Sequence, residues 1–341
     1  MLKKIITLFK IGRKLALSDA LDIVSKIYEI PIVIKIFFTV LGLFGKKNLN
    51  QNDSEGEKLC RSLESMGITF IKLGQFLATR PDIIGDKTAK NLEKLQDKLP
   101  AFSTFEAKSI IKNEIGNRYY EDILSLSDPI AAASIAQVHF AKIKIDGEEK
   151  ELAIKILRPN IYNKVNEELD ALMFAAYLIE NIFKKTKRLK LVEVIILLKQ
   201  ITNIEMDLRF EAAAASELRE NTLNDKGIHV PKIYWNYTSK KILTLDKVDG
   251  VSIRDIDKLK SFNINLKNLS ENLIQSFLKQ SVRDGFFHAD MHQGNIFINS
   301  SGQIVPIDFG IMGRIDKPNR RFLAEILYGF IQRDYKKVAE V

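Results

Sequence analysis

The 341-residue chain has a single cysteine, Cys60, so it can form no internal disulfide and offers no cluster of thiolates for a metal; a reducing compartment follows. It has no internal repeat and no low-complexity tract. It also lacks a clear membrane span. The greasiest run, Pro31–Gly45, is shorter than the roughly 20 residues that a spanning helix needs, and Lys35 interrupts it. No small-residue cleavage site follows that run and the basic region before it is too long, which excludes a secretory signal. No nucleic-acid motif with interleaved aromatics is present. The excess of lysine and arginine, a net charge of +9, is therefore read first as solvated faces and second as affinity for an anionic membrane surface. Basic clusters lie at Lys3, Lys4, Lys10, Arg13 and Lys14, and again at Lys184, Lys185, Lys187, Arg188 and Lys190.

What is present is an ordinary globular composition, 46% hydrophobic and 28% charged, with length enough for two domains or two lobes. The first 45 residues predict an amphipathic helix lying on a membrane or on the protein itself, and Asn48–Glu57 a polar linker. Apolar residues at three- and four-residue spacing predict one helix over Glu57–Ala78, ended by Arg80-Pro81, with Lys72 and Gln75 on one face. Helices are predicted over Lys87–Leu99 and Phe105–Ile115.

At Pro129–Leu157 the period changes to two, predicting a strand, a turn at Asp146-Gly147 and a second strand. Lys155 there faces away from Leu152, Ile154 and Ile156. Long helices are expected over Ile161–Phe183 and Leu191–Leu218; in the second, Asp207 and Glu211 share a face while Glu205 points elsewhere. A second hairpin is predicted over Val230–Val248 about Thr238–Lys240, a hinge at Val248–Gly250, then helices over Leu269–Arg283 and Pro318–Lys337. The last helix has no residue that ends it, which predicts that the chain is a piece of a longer protein.

The stretch His288–Gly310, HADMHQGNIFINSSGQIVPIDFG, carries the chemistry. Two polar clusters, Asp290 with Asn295 and then Asp308, flank a predicted hairpin that turns at Asn299–Gly302. Phosphoryl transfer asks the protein for hard oxygen ligands for magnesium and for a positioned nucleophile, and an acid, an amide and a second acid in this order supply both. The spacing D-x-x-x-x-N followed by D-F-G matches the protein-kinase pattern, and Lys155 sits in the A-I-K context of a kinase strand lysine that Glu211 could answer. Two kinase features are missing. No A-P-E follows Asp308-Phe309-Gly310, and where the glycine-rich loop belongs stands Ala131-Ala132-Ala133-Ser134-Ile135-Ala136, whose alanines forbid positive φ. His288 and His292 flank Asp290 at a metal-like spacing, but no third ligand converges, and a structural role is the better reading.

Together these residues resemble the UbiB (ADCK-like) atypical kinases: Lys72-Leu73-Gly74-Gln75 is similar to the KxGQ motif, Ala131–His139 to the alanine-rich loop and Glu205-Met206-Asp207 to the ExD motif. The resemblance runs from about Glu57 to the C-terminus and implies an α+β, protein-kinase-like two-lobed fold with an N-terminal helical extension and an incomplete C-terminal lobe. It divides the chain into an N-terminal segment and linker (1–56), a helical extension (57–128), an N-lobe (129–250) and the start of a C-lobe (251–341).

The resemblance also implies binding of ATP and Mg²⁺. Lys155 would contact phosphates and pair with Glu211, Asn295 and Asp308 would hold Mg²⁺, and Asp290 would act as base. Lys72 and Gln75 would guard the acceptor side, with Lys72 answering Glu205 or Asp207, and Ala132, Ala133, Ser134, Ile135, Ala136, Gln137, Val138, His139 and Phe140 would line the nucleotide. The implied role is ATPase activity supporting ubiquinone (coenzyme Q) biosynthesis through handling of lipid. Implied partners are anionic membrane lipid, quinone precursors and other proteins of that pathway, with a homodimer left open. The implied place is the cytoplasmic face of the inner membrane, peripherally. The competing readings are a small-molecule phosphotransferase of the aminoglycoside or choline type, a nucleotide-binding scaffold without turnover, and a direct polyprenylphenol hydroxylase. The first lacks the KxGQ helix, the intact Lys155, Asp290, Asn295 and Asp308 speak against the second, and the third has no flavin fingerprint or iron-ligand set.

Overall fold

The computed structural model describes residues 2–18, 32–42, 55–93, 95, 99–262 and 264–341; most of the polar linker expected at Asn48–Glu57 lies outside them. The chain divides into two compact units. The first comprises Met1–Phe102, Ala131–Gln137 and Leu157–Met206, the second Ser103–Ile130, Val138–Ile156 and Asp207–Val341. These units group the chain differently from the four segments expected from its sequence.

The first unit is helical, with helices Leu2–Ala16, Ile32–Gly42, Glu55–Met66, Ile68–Ala78, Asp86–Leu92, Ile161–Ile182 and Leu191–Glu205 among the described residues. The single helix expected over Glu57–Ala78 is two, because Gly67 takes φ 106°, a conformation that costs a side-chain-bearing residue dearly. The chain reverses there, so that Leu59, Cys60, Leu63 and Met66 of the first helix close on Phe70 of the second and on Leu92 and Leu95 beyond it. Gly74 makes that packing close: a Cβ at this position would lie 2.3 Å from Leu95 Cδ1 and 2.7 Å from Leu63 Cδ1. The helix expected over Lys87–Leu99 is shorter, Asp86–Leu92. Among the described residues no helix is long and apolar enough to cross a membrane.

The second unit is built on a sheet in the order Ile123–Leu126, Ala136–Ile145, Glu148–Leu157, Ile242–Asp246, with the two middle strands joined by the predicted turn at Asp146-Gly147. The expected second hairpin is half right. Ile242–Asp246 pairs antiparallel with Glu148–Leu157, placing Lys155 opposite Leu243, but its other arm is a 3₁₀ turn at Trp235–Tyr237 and touches the sheet only at a bridge from Ile233 to Leu245. In that 3₁₀ turn Tyr237 is buried and its hydroxyl donates to Asp122 Oδ2 at 2.8 Å.

The long helix expected over Leu191–Leu218 also breaks in two. Asp207 is extended (φ −127°, ψ 93°) and its carboxylate caps the helix Leu208–Thr222 by accepting the Arg209 N–H, so helical-wheel angles across residue 206 do not apply. The helix expected over Leu269–Arg283 is Leu266–Leu278 followed by a wider turn, Lys279–Asp284, and the one over Pro318–Lys337 breaks at Arg333 into Lys317–Ile331 and Tyr335–Glu340. The expected hinge at Val248–Gly250 runs directly into a strand, Gly250–Ser252, that pairs with Ile296–Asn299.

Candidate functional site

Two small sheets position the residues of His288–Gly310. The predicted hairpin is present as Ile296–Asn299 against Ile304–Pro306, turned through Asn299, whose side-chain oxygen accepts the N–H groups of Ser301 and Gln303. Phe286–His288 pairs with Met312–Arg314, and the Ala289 N–H donates to the Ile311 carbonyl. The segment before Asp290 is thereby tied to the segment after Gly310. A further backbone bond, Ile307 N–H to the Asn295 carbonyl at 3.0 Å, sets Asn295 beside the approach to Asp308.

His288 completes this clamp. It is 3% exposed; its Nδ1 accepts the Asp290 N–H at 3.1 Å and its Nε2 meets the Asp308 carbonyl oxygen. With both ring nitrogens on backbone groups, it is the structural histidine that its sequence context suggests, and its neutral Nε2–H form fits both bonds. Gln280 also belongs to the clamp, its Oε1 accepting the His288 N–H at 3.1 Å. Burial pushes the His288 pKa below its ordinary 6.5, against the raising effect of the Asp308 carbonyl and the nearby carboxylates. A folded-state pKa below the unfolded one means that the unfolded chain takes up the proton first. This group's contribution to stability is therefore complete above about pH 6.5 and is lost as pH falls through the depressed value. A His288→Asn variant is expected to lose part of that acid-side slope in urea denaturation followed between pH 7 and pH 5; an unchanged slope would show that His288 does not carry it.

Lys155, Glu211 and Asp308 come together. Lys155 Nζ lies 2.8 and 2.9 Å from the two Glu211 carboxylate oxygens and 3.4 Å from Asp308 Oδ2. Glu211 reaches it from the buried face of Leu208–Thr222, where it shares a stripe with Leu208, Ala212, Ala215 and Leu218. A carboxylate at a core position of an amphipathic helix is costly unless paired, which is what Lys155 provides. Burial opposes the Lys155 charge, but Asp308 and Glu211 outweigh it, and the ammonium is held well above its ordinary range. Asp308 is held below the usual carboxylate range, chiefly by Lys155, while burial pushes Glu211 up. Asp308 is thus the carboxylate that keeps its charge, and it is also the more open of the two, with 42% of its side chain exposed against 8% for Glu211. Its other oxygen accepts the Gly310 N–H at 2.9 Å.

Asp290 is 38% exposed, and the Asn295 Nδ2 contacts its Oδ2 at 3.3 Å. That orientation leaves the Asn295 side-chain oxygen available as a ligand. The donor set suits magnesium, which binds through one or two protein oxygens and completes its octahedron with phosphates and water. Among the described residues no three His, Cys, Asp or Glu gather as a self-sufficient metal site.

Of the remaining motif residues, Lys72, Gln75, Glu205 and Ala131–Gln137 belong to the first unit, and Asp207, Val138 and His139 to the second. Lys72 Nζ lies 3.0 Å from Glu205 Oε2 as an ion pair, and both side chains are less than a fifth exposed. Of the two acids that could have answered Lys72, Glu205 does so, while Asp207 takes the Arg209 guanidinium at 2.7 and 2.9 Å. The alanine-rich segment is a tight turn, Ala133 N–H to the Ala136 carbonyl at 2.8 Å. Arg158, which the sequence does not single out, holds it by donating to the carbonyls of Ala133, Leu99 and Pro100. Ser134 is buried, with no partner for its hydroxyl among the described residues. Gln137, expected to line the nucleotide, is fully buried and bonds the Phe102 N–H and carbonyl, so it supports the turn. His139 is equally buried, its Nδ1 at 2.7 Å from the Ser127 carbonyl within the second unit.

Residues 94–341 match the ABC1 atypical kinase-like domain. The chain belongs to this family. The probable protein kinase UbiB of Marinobacter nauticus is 38% identical over 328 residues, which is 94% of this chain and 59% of that protein. That of Histophilus somni is 38% identical over 304 residues, 87% of this chain and 56% of its own length. The chain therefore spans somewhat under three fifths of the length of these curated relatives. Among solved structures, that of the Rv3197–erythromycin complex from Mycobacterium tuberculosis is 23% identical, with a TM-score of 0.51 over 79% of this chain and 66% of that one, and is alike in fold. An α+β kinase-like fold and membership of the UbiB-type atypical kinases are thus in place, as the KxGQ, alanine-rich and D-F-G segments lead one to expect.

Proposed function

We propose that this chain is an ATPase of the UbiB type that binds Mg·ATP and supports ubiquinone biosynthesis by ATP-driven handling of membrane lipid precursors. The observation that carries the reading is the largely buried Lys155 held by both Glu211 and Asp308, with Asp290 tied to the same segment by the His288 clamp and Asn295 by the bond its carbonyl accepts from Ile307. Lys155 would neutralise nucleotide phosphates, and Asp308 and Asn295 would be the protein's ligands to Mg²⁺. When bound, the ion would offset charge that develops on the phosphoryl oxygens. Asp290 would orient the attacking hydroxyl or water and accept its proton; being open to solvent, it can meet an acceptor. Lys72 and Gln75 would restrain turnover, and Ala132–Phe140 would contribute to nucleotide affinity.

The direct test is release of phosphate from ATP by the purified chain, alone and with liposomes containing anionic lipid, with and without a phenolic quinone precursor. Slow basal hydrolysis that rises severalfold with lipid or phenol supports the proposal. Equal phosphorylation of generic peptides, with no response to lipid, would make the protein an ordinary kinase and sink it.

A further inference from the structure

The first unit holds a cleft of about 290 Å³ that the phosphotransfer reading does not use. One wall is the end of the helix Ile68–Ala78 and the turn after it, with Phe76 and Arg80; the other is the basic connector and the start of the helix Leu191–Glu205, with Arg188, Lys190, Val194 and Leu197. Three cations line it against two carboxylates, Asp82 and Glu193, leaving one positive charge in excess. Arg80 gives Nε and one Nη to Asp82 at 2.8 and 2.7 Å, which fixes its guanidinium while leaving other donors of the fork unspent. Lys190 is braced in the same way by Glu193 at 2.9 and 3.1 Å. Arg188 has no carboxylate partner among the described residues. Two held cations and one unanswered one, beside an apolar floor, are the chemistry of a site for an anion attached to something greasy.

The greasy part has a place to go. From Leu197, which lines the cleft, the same helix continues with Ile201 and Ile204 at four- and three-residue steps, and the three are 41%, 39% and 51% exposed. Such a stripe on one helix face leads directly away from the cationic cleft. We propose that this cleft binds the phosphate group of an anionic lipid, with an acyl chain along Leu197, Ile201 and Ile204. The two helices that wall the cleft are also the two joined by the Lys72–Glu205 ion pair: Lys72 lies one turn before Phe76, and Glu205 ends the helix that carries Val194 and Leu197. A lipid seated here acts on the spacing of those helices and so on that pair. The inference deepens the proposed function by giving its lipid partner a binding site, and it rests on that reading only for the biological purpose of the site.

The test uses the full 341-residue chain with soluble dihexanoyl phosphatidic acid, dihexanoyl phosphatidylcholine and inorganic phosphate as probes in calorimetric titrations, and reads amide hydrogen exchange across residues 68–80 and 191–205. Phosphatidic acid is expected to bind and to slow exchange in both segments. Arg188→Glu is expected to weaken that binding by roughly tenfold or more, and Leu197→Asp to weaken lipid but not phosphate. Inorganic phosphate binding as tightly as the lipid would show that Leu197, Ile201 and Ile204 hold no acyl chain and would overturn the lipid assignment. Phosphatidic acid affinity unchanged by Arg188→Glu, or matched by the zwitterionic lipid, overturns the proposal. Mg·ATP binding measured on the same samples keeps the two readings apart: loss of lipid binding with ATP binding intact condemns the cleft alone, and absent ATP binding condemns the ATPase alone.

Discussion

Lys155→Ala is expected to weaken nucleotide binding by roughly 10- to 100-fold, the worth of a charge-assisted contact to phosphate, and to destabilise the second unit by about 3 kcal/mol. The stability loss follows from what remains. Glu211 sits on the buried face of its helix, and its carboxylate and that of Asp308 both converge on the Lys155 ammonium. Remove the cation and two acids are left to repel each other around a space too poorly solvated for both to ionise, so one must take up a proton. A double variant, Lys155→Met with Glu211→Met, is expected to recover much of the stability and none of the nucleotide binding, since the buried charges vanish together while the phosphate contact stays lost. Urea denaturation and titration with a fluorescent nucleotide measure the two effects on the same samples. If Lys155→Ala proves as stable as the parent, the ammonium is not holding the carboxylates as the geometry says.

Asp308→Asn separates metal binding from folding. The amide oxygen can still accept the Gly310 N–H, and Lys155 keeps both oxygens of Glu211, so stability should move by less than about 1 kcal/mol. The anionic ligand is gone, however, and a neutral amide is a poor substitute for a carboxylate on a hard divalent ion. The gain in ATP affinity on adding Mg²⁺, expected to be at least about tenfold in the parent, should therefore disappear in the variant. Nucleotide titrations in Mg²⁺ and in EDTA read it directly; a variant that keeps the full magnesium response would move the metal away from Asp308.

The local order of the second unit was largely legible in the sequence. Period-two runs bounded by Asp146-Gly147 and by Asn299–Gly302 became the two hairpins, and Lys155 fell on the face that a strict alternation gives it. Glu211 was legible as its partner even though the helical argument used to single it out was wrong. The chain breaks at Asp207 in the middle of an uninterrupted helical pattern, and an aspartate that caps a new helix reads in sequence like any polar residue on a helix face. Gly67 hid for a similar reason, because the apolar spacing continues through it although the chain direction does not.

What periodicity could not supply were partners distant in sequence. Arg158 holds carbonyls 58 and 59 residues away, and Gln280 braces His288 through its backbone. Neither residue stands in a motif, and only the folded chain shows that the alanine-rich turn and the D-F-G clamp depend on them. The same limit applies to the cleft by Arg188, whose cations look in sequence like an ordinary solvated connector.

In the proposed function Lys155, Asn295 and Asp308 form a magnesium-dependent nucleotide site. Calorimetric titration of the unaltered chain with ATP, once in Mg²⁺ and once in EDTA, tests it most directly. Saturable binding in Mg²⁺ at one site per chain, weakened at least about tenfold in EDTA, is expected; absence of binding in Mg²⁺, or equal affinity with and without the ion, would refute this site.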